Sequence, residues 1–595
     1  MKNNTYADNL CDWLVEEGYT YCFFVAGGNI MHLLNSTRNR FKCVPVVHEV
    51  AAAIAVEYFN ETSNGAKAFA LVTAGPGITN AVTGIAGAWL ESRELLIIGG
   101  QVKTSDLMTG DLRQRGIQEI DGVSLVEGIT KISRKIKSPI SERDFKKTIR
   151  TGSSGRPGPI FLEVCLDIQA ITDNDFPTED ISQENSPVAN KVDPSSMGKL
   201  ISLMCTSKRP VILVGGGLSR STSFEFEEFF LNLGFPIMTT WNGIDRFSSS
   251  HDLFWGRPNT WGQRASNVLI QQSDLIIAIG TRLGLQQSGF NWQGFAPLAK
   301  IVQVEIDQSE IKKGHPKIDL EFNCDTKSFL NSLKKSDVPV KAEQIAEWID
   351  FGKSVRTLLP NSELANSSSS NYLNPFEFVE QLSEHLSDSD VIIPCSSGGA
   401  FTTMMQAFNQ KSGQIIVSDK GLASMGYGLA GAIGAAYANP NKRVILVEGD
   451  GGFAQNLQEL GTAVVTGAAL KIFIYSNNGY ASIRMTQRNY FDGAYVGCDT
   501  STGLGLPDWV KLFESYGIQT LEMNPDSFTE TVFLEALADS SIRAFLVPID
   551  PDQTYFPKIS SRVLENGQME SNPLHLMSPE LPADIHLAVL KYLEM

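Results

Sequence analysis

Short apolar runs bounded by glycine recur along the chain, and between them lie segments with apolar positions at helical spacing. The stretch 443–480, RVILVEGDGGFAQNLQELGTAVVTGAALKIFIYSNNGY, shows the unit most clearly. Val444–Val447 is continuously apolar, as a strand buried on both faces is. Gly449-Asp450-Gly451-Gly452 follows as a tight turn that glycine allows. Phe453, Leu457, Leu460 and Val464 then recur at helical spacing, Gly467 stops the helix, and Lys471–Tyr475 begins a second strand. A right-handed crossover brings both strand ends to one sheet edge, with Asp450 at one tip and Asn477 at the next. Oxygens of an Asp and an Asn, beside amides at a helix N-terminus, suit a Mg²⁺ ion carrying a diphosphate.

The same alternation organises the rest. In the first 170 residues, strands are expected at Tyr21–Val25, running into Ala26-Gly27-Gly28, and at Cys43–Val47, with His48-Glu49 at its end. More follow at Ala68–Thr73, before Ala74-Gly75-Pro76-Gly77 and a helix over 78–91, and at Leu95–Ile98 and Ile160–Val164. Val50–Tyr58 reads as a closely packing helix of small residues. Residues 171–196 are polar, acidic and contain proline, and read as a linker. Strands at Pro210–Val214, ending in Gly215-Gly216-Gly217, and at Pro236–Thr240, Leu275–Ile279 and Lys300–Ile306 make a second unit. NSELANSSSSN (361–371) reads as a mobile second linker. Ser396-Ser397-Gly398-Gly399 follows a strand at Val391–Pro394 in a third unit, and a helix over 582–593 closes the tail. The expected class is α/β with three doubly wound parallel-sheet domains, at 1–175, 190–345 and 372–555, and a tail at 556–595.

Composition narrows the function. With 595 residues, 42% hydrophobic and 19% charged, large cores are within reach. A net charge of -17 argues against nucleic-acid or anionic-membrane partners. Eight scattered cysteines without a C-x-x-C read as reduced cytosolic thiols, hence a cytoplasmic protein. The N-terminal segment reads as an amphipathic helix rather than a signal or transit peptide, and no apolar run of about 18 residues suggests a membrane span.

Glu49 stands where open α/β sheets present ligand groups, and a carboxylate there could equally be a surface cap of its helix. Likewise GDGG alone could be a plain βα turn, and Asn477-Asn478-Gly479 a type I′ turn. Together with VHE at 47–49, TAGPG at 73–77, GRPGP at 155–159, RPVILVGGG at 209–217 and GLASMGYG at 421–428, the chain resembles the thiamine diphosphate (ThDP) enzymes of the acetolactate synthase type. The family's signature, G-D-G and then Asn some 25 to 30 residues on, is matched by Gly449-Asp450-Gly451 and Asn477.

The resemblance implies roles. The first domain would bind the cofactor's pyrimidine, the third its diphosphate, and the middle one would be Rossmann-like. Glu49 would bond N1′ of the aminopyrimidine. Asp450, Asn477 and the Gly479 carbonyl would hold Mg²⁺. Ser396, Ser397, Gly398, Gly399, Gly449, Gly451 and Gly452 would surround the diphosphate. Met425 would wedge between the cofactor's rings, and the Ala423 carbonyl would accept from the 4′-amino group. Gln118 and Gly28 would face the reacting carbon. A non-redox FAD is expected on the middle domain, at Gly215, Gly216, Gly217, Thr239, Arg282 and Asp307. The implied assembly is a homodimer or homotetramer with ThDP between subunits. The implied chemistry takes CO₂ from a 2-oxo acid and passes the remaining two-carbon unit to a carbonyl acceptor, with small molecules as the only substrates.

Two positions depart from the family. Thr486 stands where acetolactate synthases carry a tryptophan, and Gln286 where they carry an arginine. Losing an aromatic and a cation opens and de-charges the acceptor side. RPNTWGQR (257–264) and LGLQQSGFNW (283–292) look instead like carboligases of sugar pathways. The expectation is a carboligase that decarboxylates pyruvate and uses a larger ketone or keto-sugar acceptor. Acetolactate synthesis proper is the runner-up. A nicotinamide dehydrogenase would need a G-x-G-x-x-G opening a helix with an acid about 20 residues on, which is absent. A non-catalytic homologue would not need both Glu49 and the Asp450–Asn477 pair.

Overall fold

A computed structural model describes residues 4–172, 191–336, 338, 342–369, 371–563 and 567–593. Most of the first expected linker lies outside these residues. By internal contacts the chain divides into two compact units. One holds Met1–Pro187, Asp390–Gly398 and Val417–Val547, and the other holds Val188–Ser389, Gly399–Ile416 and Pro548–Met595.

The first unit contains a wholly parallel sheet with strands in the order Lys42–Pro45, Tyr19–Phe24, Lys67–Val72, Leu95–Gln101, Pro159–Cys165, Ile132–Ile136. It also carries Val391–Ile393, Val444–Gly449, Leu470–Ser476, all but the last residue of Arg543–Pro548, and Gln519–Glu522, adjacent in that order. Val444–Gly449 pairs in parallel with both Val391–Ile393 and Leu470–Ser476. Helices Glu49–Thr62 and Tyr427–Ala438 pack closely because both are built of small residues. A Cβ on Gly434 would lie 2.0 Å from the Ala55 carbonyl oxygen.

The second unit has a parallel sheet in the order Leu320–Phe322, Lys300–Val304, Leu275–Ile279, Pro210–Val214, Ile237–Thr239. The α/β class with three parallel sheets is therefore the architecture. No helix among the described residues is long and apolar enough to cross a membrane. All eight cysteines are free thiols.

Three expectations change. The helix after Asp450 is not continuous. It runs as Asp450–Phe453, a 3₁₀ segment Ala454–Glu459, and Leu460–Thr466, broken at Asn456 (φ -135°, ψ 24°). Asn456 leaves the helix so that its Nδ2 can donate to the Gly426 carbonyl at 2.7 Å. Gly467 does end the last piece, at φ 64°. The 361–371 segment is not a free linker. Asn366 is fully buried; its Nδ2 donates to the Phe556 carbonyl at 2.7 Å and its Oδ1 accepts from the Phe556 amide at 2.8 Å. The last helix is shorter than expected, Ala583–Val589, and Val589 is buried with Trp348 and Val211 in one core.

Candidate active site

Three adjacent strand ends of the first unit make half of a site. Asp450 begins a helix directly after Val444–Gly449 and is almost wholly buried. Its Oδ2 accepts from the Asn477 amide at 3.0 Å. Its Oδ1 accepts from the Gly451 amide at 2.7 Å and the Gly479 amide at 3.2 Å. Burial pushes its carboxyl up to about 6, against the pull of these amides. The Asn477 side-chain oxygen faces the Gly479 carbonyl oxygen and Asp450 Oδ1, each at 3.1 Å; turned over, the amide would donate to both. In the first orientation the facing oxygens repel unless a cation sits among them, and in the second no cation is needed. Two oxygens at right angles on a magnesium ion, about 2.1 Å from it, stand about 3.0 Å apart. The donor set therefore fits Mg²⁺. No group of three or more His, Cys, Asp or Glu able to hold a metal exists among the described residues. One carboxylate, one amide and one carbonyl is a set of another kind.

The cradle beside these oxygens can be read from its glycines. A Cβ on Gly449 or Gly398 would meet nothing within 4 Å, and Gly398 has φ 83°. Gly451 is instead closed by the Tyr480 ring, Gly452 by Glu448, and Gly399 by the Tyr555 ring. Ser396 is buried and its hydroxyl donates to the Ser424 carbonyl, while Ser397 is half-buried. Ser424 belongs to the loop that presents Ala423, in the left-handed region at φ 56°, and Met425, which is 38% exposed. An exposed thioether on a loop bonded to Ser396, beside the open Gly398, fits an apolar ring of a bound cofactor.

The other half lies on the first sheet. Glu49 opens helix Glu49–Thr62, is 7% exposed, and its Oε2 accepts from Asn80 Nδ2 at 2.9 Å. Gly28 is exposed, with nothing within 4 Å of an added Cβ. Gln118 is exposed with φ 63°, and Ile117 beside it is 86% exposed. Their loop is tied down by buried Glu119, whose carboxylate accepts from the amides of Met108, Arg115 and Gly116. Burial opposes these amides, which together hold the Glu119 carboxyl below its usual range. Glu459 Oε1 accepts from the amides of Val47 at 3.1 Å and His48 at 2.9 Å. No hydrogen bond or ion pair among the described residues joins Glu49 to Asp450 or Asn477.

Sequence reasoning missed Asn80, Asn456, Glu119 and Glu459. For Asn80, Asn456 and Glu459 the only signal was a polar residue within a helical segment, and Glu119, in a polar loop, gave none.

The expected acceptor positions are both exposed. The Thr486 hydroxyl donates to the Ser482 carbonyl at 3.0 Å, on helix Ala481–Tyr490, which buries no residue. In the second unit, the Gln286 carbonyl accepts from the Thr260 amide at 2.9 Å. The flavin positions there fit less well. A Cβ on Gly215 would lie 2.2 Å from the Gly280 carbonyl oxygen, one on Gly217 2.9 Å from Gly280 Cα, and one on Gly216 3.2 Å from Asn242 Cβ. The glycine run is thus explained by loop-on-loop packing and does not form an open cradle. Asp307 caps the helix Gln308–Lys312, and Arg282 stands 3.9 Å from Glu310. The buried hydroxyl of Thr239 and Nε2 of Gln308 lack protein partners, as groups awaiting a ligand would.

Three thiamine pyrophosphate enzyme family models match along the chain. They are the N-terminal TPP binding domain at residues 4–125, the central domain at 197–333 and the C-terminal TPP binding domain at 397–547. The chain is 32% identical over 528 residues to a probable acetolactate synthase large subunit of Methanocaldococcus jannaschii, covering 85% of each. It is 30% identical to the acetolactate synthase large subunit of Corynebacterium glutamicum, over 83% of this chain and 78% of the relative. It is 28% identical to that of Lactococcus lactis, over 87% and 88%. The half-site of oxygens and open glycines on one sheet and the strand-end glutamate on another thus sit within matched domains, and the chain belongs to the thiamine diphosphate-dependent enzymes of the acetolactate synthase type, carboligases that form carbon–carbon bonds.

Proposed function

We propose that this carboligase decarboxylates pyruvate and transfers the two-carbon unit to a carbonyl acceptor larger than a 2-oxo acid, a ketone or keto-sugar. The observation that carries the acceptor reading is the small, exposed Thr486 on an uncovered helix directly after the Asn477–Gly479 turn. Acetolactate synthesis proper is the second reading, favoured by the names of the relatives.

ThDP, when bound, supplies the carbon nucleophile and the electron sink. Asp450, Asn477 and the Gly479 carbonyl would hold Mg²⁺ and through it the diphosphate, with Ser396, Ser397, Gly398 and Gly449 around it. Glu49, oriented by Asn80, would share a proton with N1′ of the aminopyrimidine. Met425 and the Ala423 carbonyl would fix the ring's attitude, and Gln118 and Gly28 would line the reacting side. A flavin on the middle domain is part of the proposal, supported by the orphaned Thr239 hydroxyl and by the family resemblance. So are the domain limits 1–175, 190–345 and 372–555 and the tail 556–595. Assembly as a homodimer or homotetramer, with ThDP between subunits, is supported by the family resemblance.

Carbon-labelled pyruvate offered with a panel of 2-oxo acids, aldehydes and keto-sugars, read by mass, tests the acceptor. Labelled adducts of a ketone or keto-sugar are expected. Acetolactate as the sole labelled product would overturn the reading in favour of the second. Thr486→Trp should then shift preference toward 2-oxo acids. Absorbance of the purified protein near 450 nm tests the flavin, and a colourless protein that stays colourless with added FAD removes it.

A further inference from the structure

We infer that Asp419, supported by Arg93, is a positioning residue that fixes the 421–426 loop in its cofactor-facing shape. The inference rests on the reading of that loop given above and names a buried device that the reading does not use.

The loop needs outside support. Ala423 is held in the left-handed region at φ 56° and Gly426 at 81°, and a residue with a Cβ stays there only where its surroundings impose it. Two carboxylates grip the amides that lead into it. Asp419 Oδ1 accepts from the Leu422 and Ala423 amides, each at 3.1 Å. Glu91 Oε1 accepts from the Lys420 amide at 2.7 Å and from the Gly421 amide. Arg93 ties the loop's entrance, its Nη2 donating to the Ser418 carbonyl at 2.7 Å. Its Nη1 donates to Glu57 Oε1 at 2.6 Å. Glu57 Oε2 in turn accepts from the Tyr427 hydroxyl at 3.2 Å, at the loop's exit. Both ends of the loop are thereby fastened to one helix, Glu49–Thr62, whose first residue is Glu49. One guanidinium thus links the shape of the Ala423–Met425 loop to the element bearing the other half-site.

The cluster is packed around a hole left by Gly87. A Cβ there would lie 1.8 Å from the Tyr427 hydroxyl oxygen and 2.3 Å from Asp419 Oδ2. Asp419 is fully buried, and its Oδ2 has no hydrogen-bond partner. Burying an unsatisfied carboxyl oxygen is unfavourable. A side chain serving stability alone would be expected to use both oxygens. The one that is bonded faces the two loop amides.

The test uses the full-length protein carrying Asp419→Ala, with Asp419→Asn as the conservative rescue. Hydrogen exchange of the peptide spanning 419–426, measured without cofactor, reads the loop directly. The dissociation constant for ThDP at saturating Mg²⁺ reads its consequence. Asp419→Ala should speed exchange of the Leu422 and Ala423 amides and weaken ThDP by about tenfold or more, the effect of losing a hydrogen bond to a charged group. The peptide over 449–452 should stay protected, and Asp419→Asn, which keeps an oxygen for the two amides, should recover most of both effects. Unchanged loop exchange in folded Asp419→Ala overturns the inference. Faster exchange with unaltered ThDP affinity overturns instead the assignment of this loop to the cofactor, and with it the positioning role. If Asp419→Ala does not fold, Asp419→Ser gives the same two readouts.

Discussion

Two parallel sheets in this chain end in the same way, with an apolar strand running into glycines, and they use those glycines for opposite purposes. After Val444–Gly449, Gly449 faces open space beside three converging oxygens. After Pro210–Val214, Gly215 and Gly217 are pressed against Gly280 of the neighbouring strand end. Glycine after a strand marks only a close approach. Whether a ligand or another loop makes that approach is decided by what a Cβ would strike. The buried charges divide in the same way. Around the 421–426 loop, Glu57, Glu91 and Asp419 gather about the guanidinium of Arg93, with Lys420 also near Glu91 and Asp419. In the second unit, Asp245 lies between Arg220 and Arg246.

The largest expected effect tests the open end. Asp450→Ala should reduce activity at limiting cofactor by more than the roughly 10- to 100-fold typical of outer-shell metal partners. Excess Mg²⁺ should restore part of it, and full activity at limiting Mg²⁺ would show that the three oxygens are not a metal site. Glu49→Gln comes next. A lost proton-transfer group should lower kcat by roughly 10²–10⁴-fold with ThDP still bound, as equilibrium binding would show.

Two glycine substitutions separate the open strand end from the packed one. Gly449→Ala should fold normally, since φ is -81° and the space is open, yet bind ThDP about tenfold more weakly, as measured by titration. Gly215→Ala should cost about 1–3 kcal/mol of stability in urea, because its Cβ would strike a carbonyl. Loss of flavin from a stable Gly215→Ala protein would reverse the reading of that end.

The smallest effect concerns pH. Burial raises Asp419 to about 6 and Glu57 to about 8, with Arg93 pulling both down and Glu91 pushing them up. Tyr58, Tyr427, Glu61 and Lys420 also face the cluster, and Arg93 stays charged. These folded-state values exceed the unfolded ones. The stabilisation they give is therefore complete below about pH 4 and is lost as pH rises toward 8, by about 1.4 kcal/mol per unit for each carboxyl between its two values. Asp245 has the opposite sign: Arg220 and Arg246 outweigh its burial and lower it, so its contribution holds above its unfolded value and is lost only in acid. Urea midpoints from pH 4 to 6 should fall for the wild type and flatten in Asp419→Asn. An unchanged slope would mean that Asp419 does not titrate in that window.

Much of this was legible in the sequence because buried parallel strands are continuously apolar and turn residues punctuate them. Pro210–Val214 and Leu275–Ile279 were delimited to the residue. Ile132–Ile136 escaped because ISRKI is an edge strand carrying polar residues. Asp450 and Asn477 directly follow strands, as the apolar runs before them indicate, whereas the strand before Glu49 ends at Pro45 and Glu49 opens the next helix. The supports were not legible. Asn456 reads as a helical residue until the Gly426 carbonyl, distant in sequence, draws it out of the helix. Asp419 and Arg93 meet only through folding, with more than 300 residues between them.

The burial of Leu574, Val589 and Leu590 has a consequence for synthesis. These side chains fill the same core as Val211, Ile276 and Trp348. A ribosome making roughly 5–20 residues per second needs on the order of ten seconds or more to travel from 348 to 574. Until then the middle sheet stands with part of its apolar surface bare. The nascent middle segment must wait, shielded or aggregation-prone, for residues made long after its own, so the order of domains along the chain is not the order in which they can finish folding.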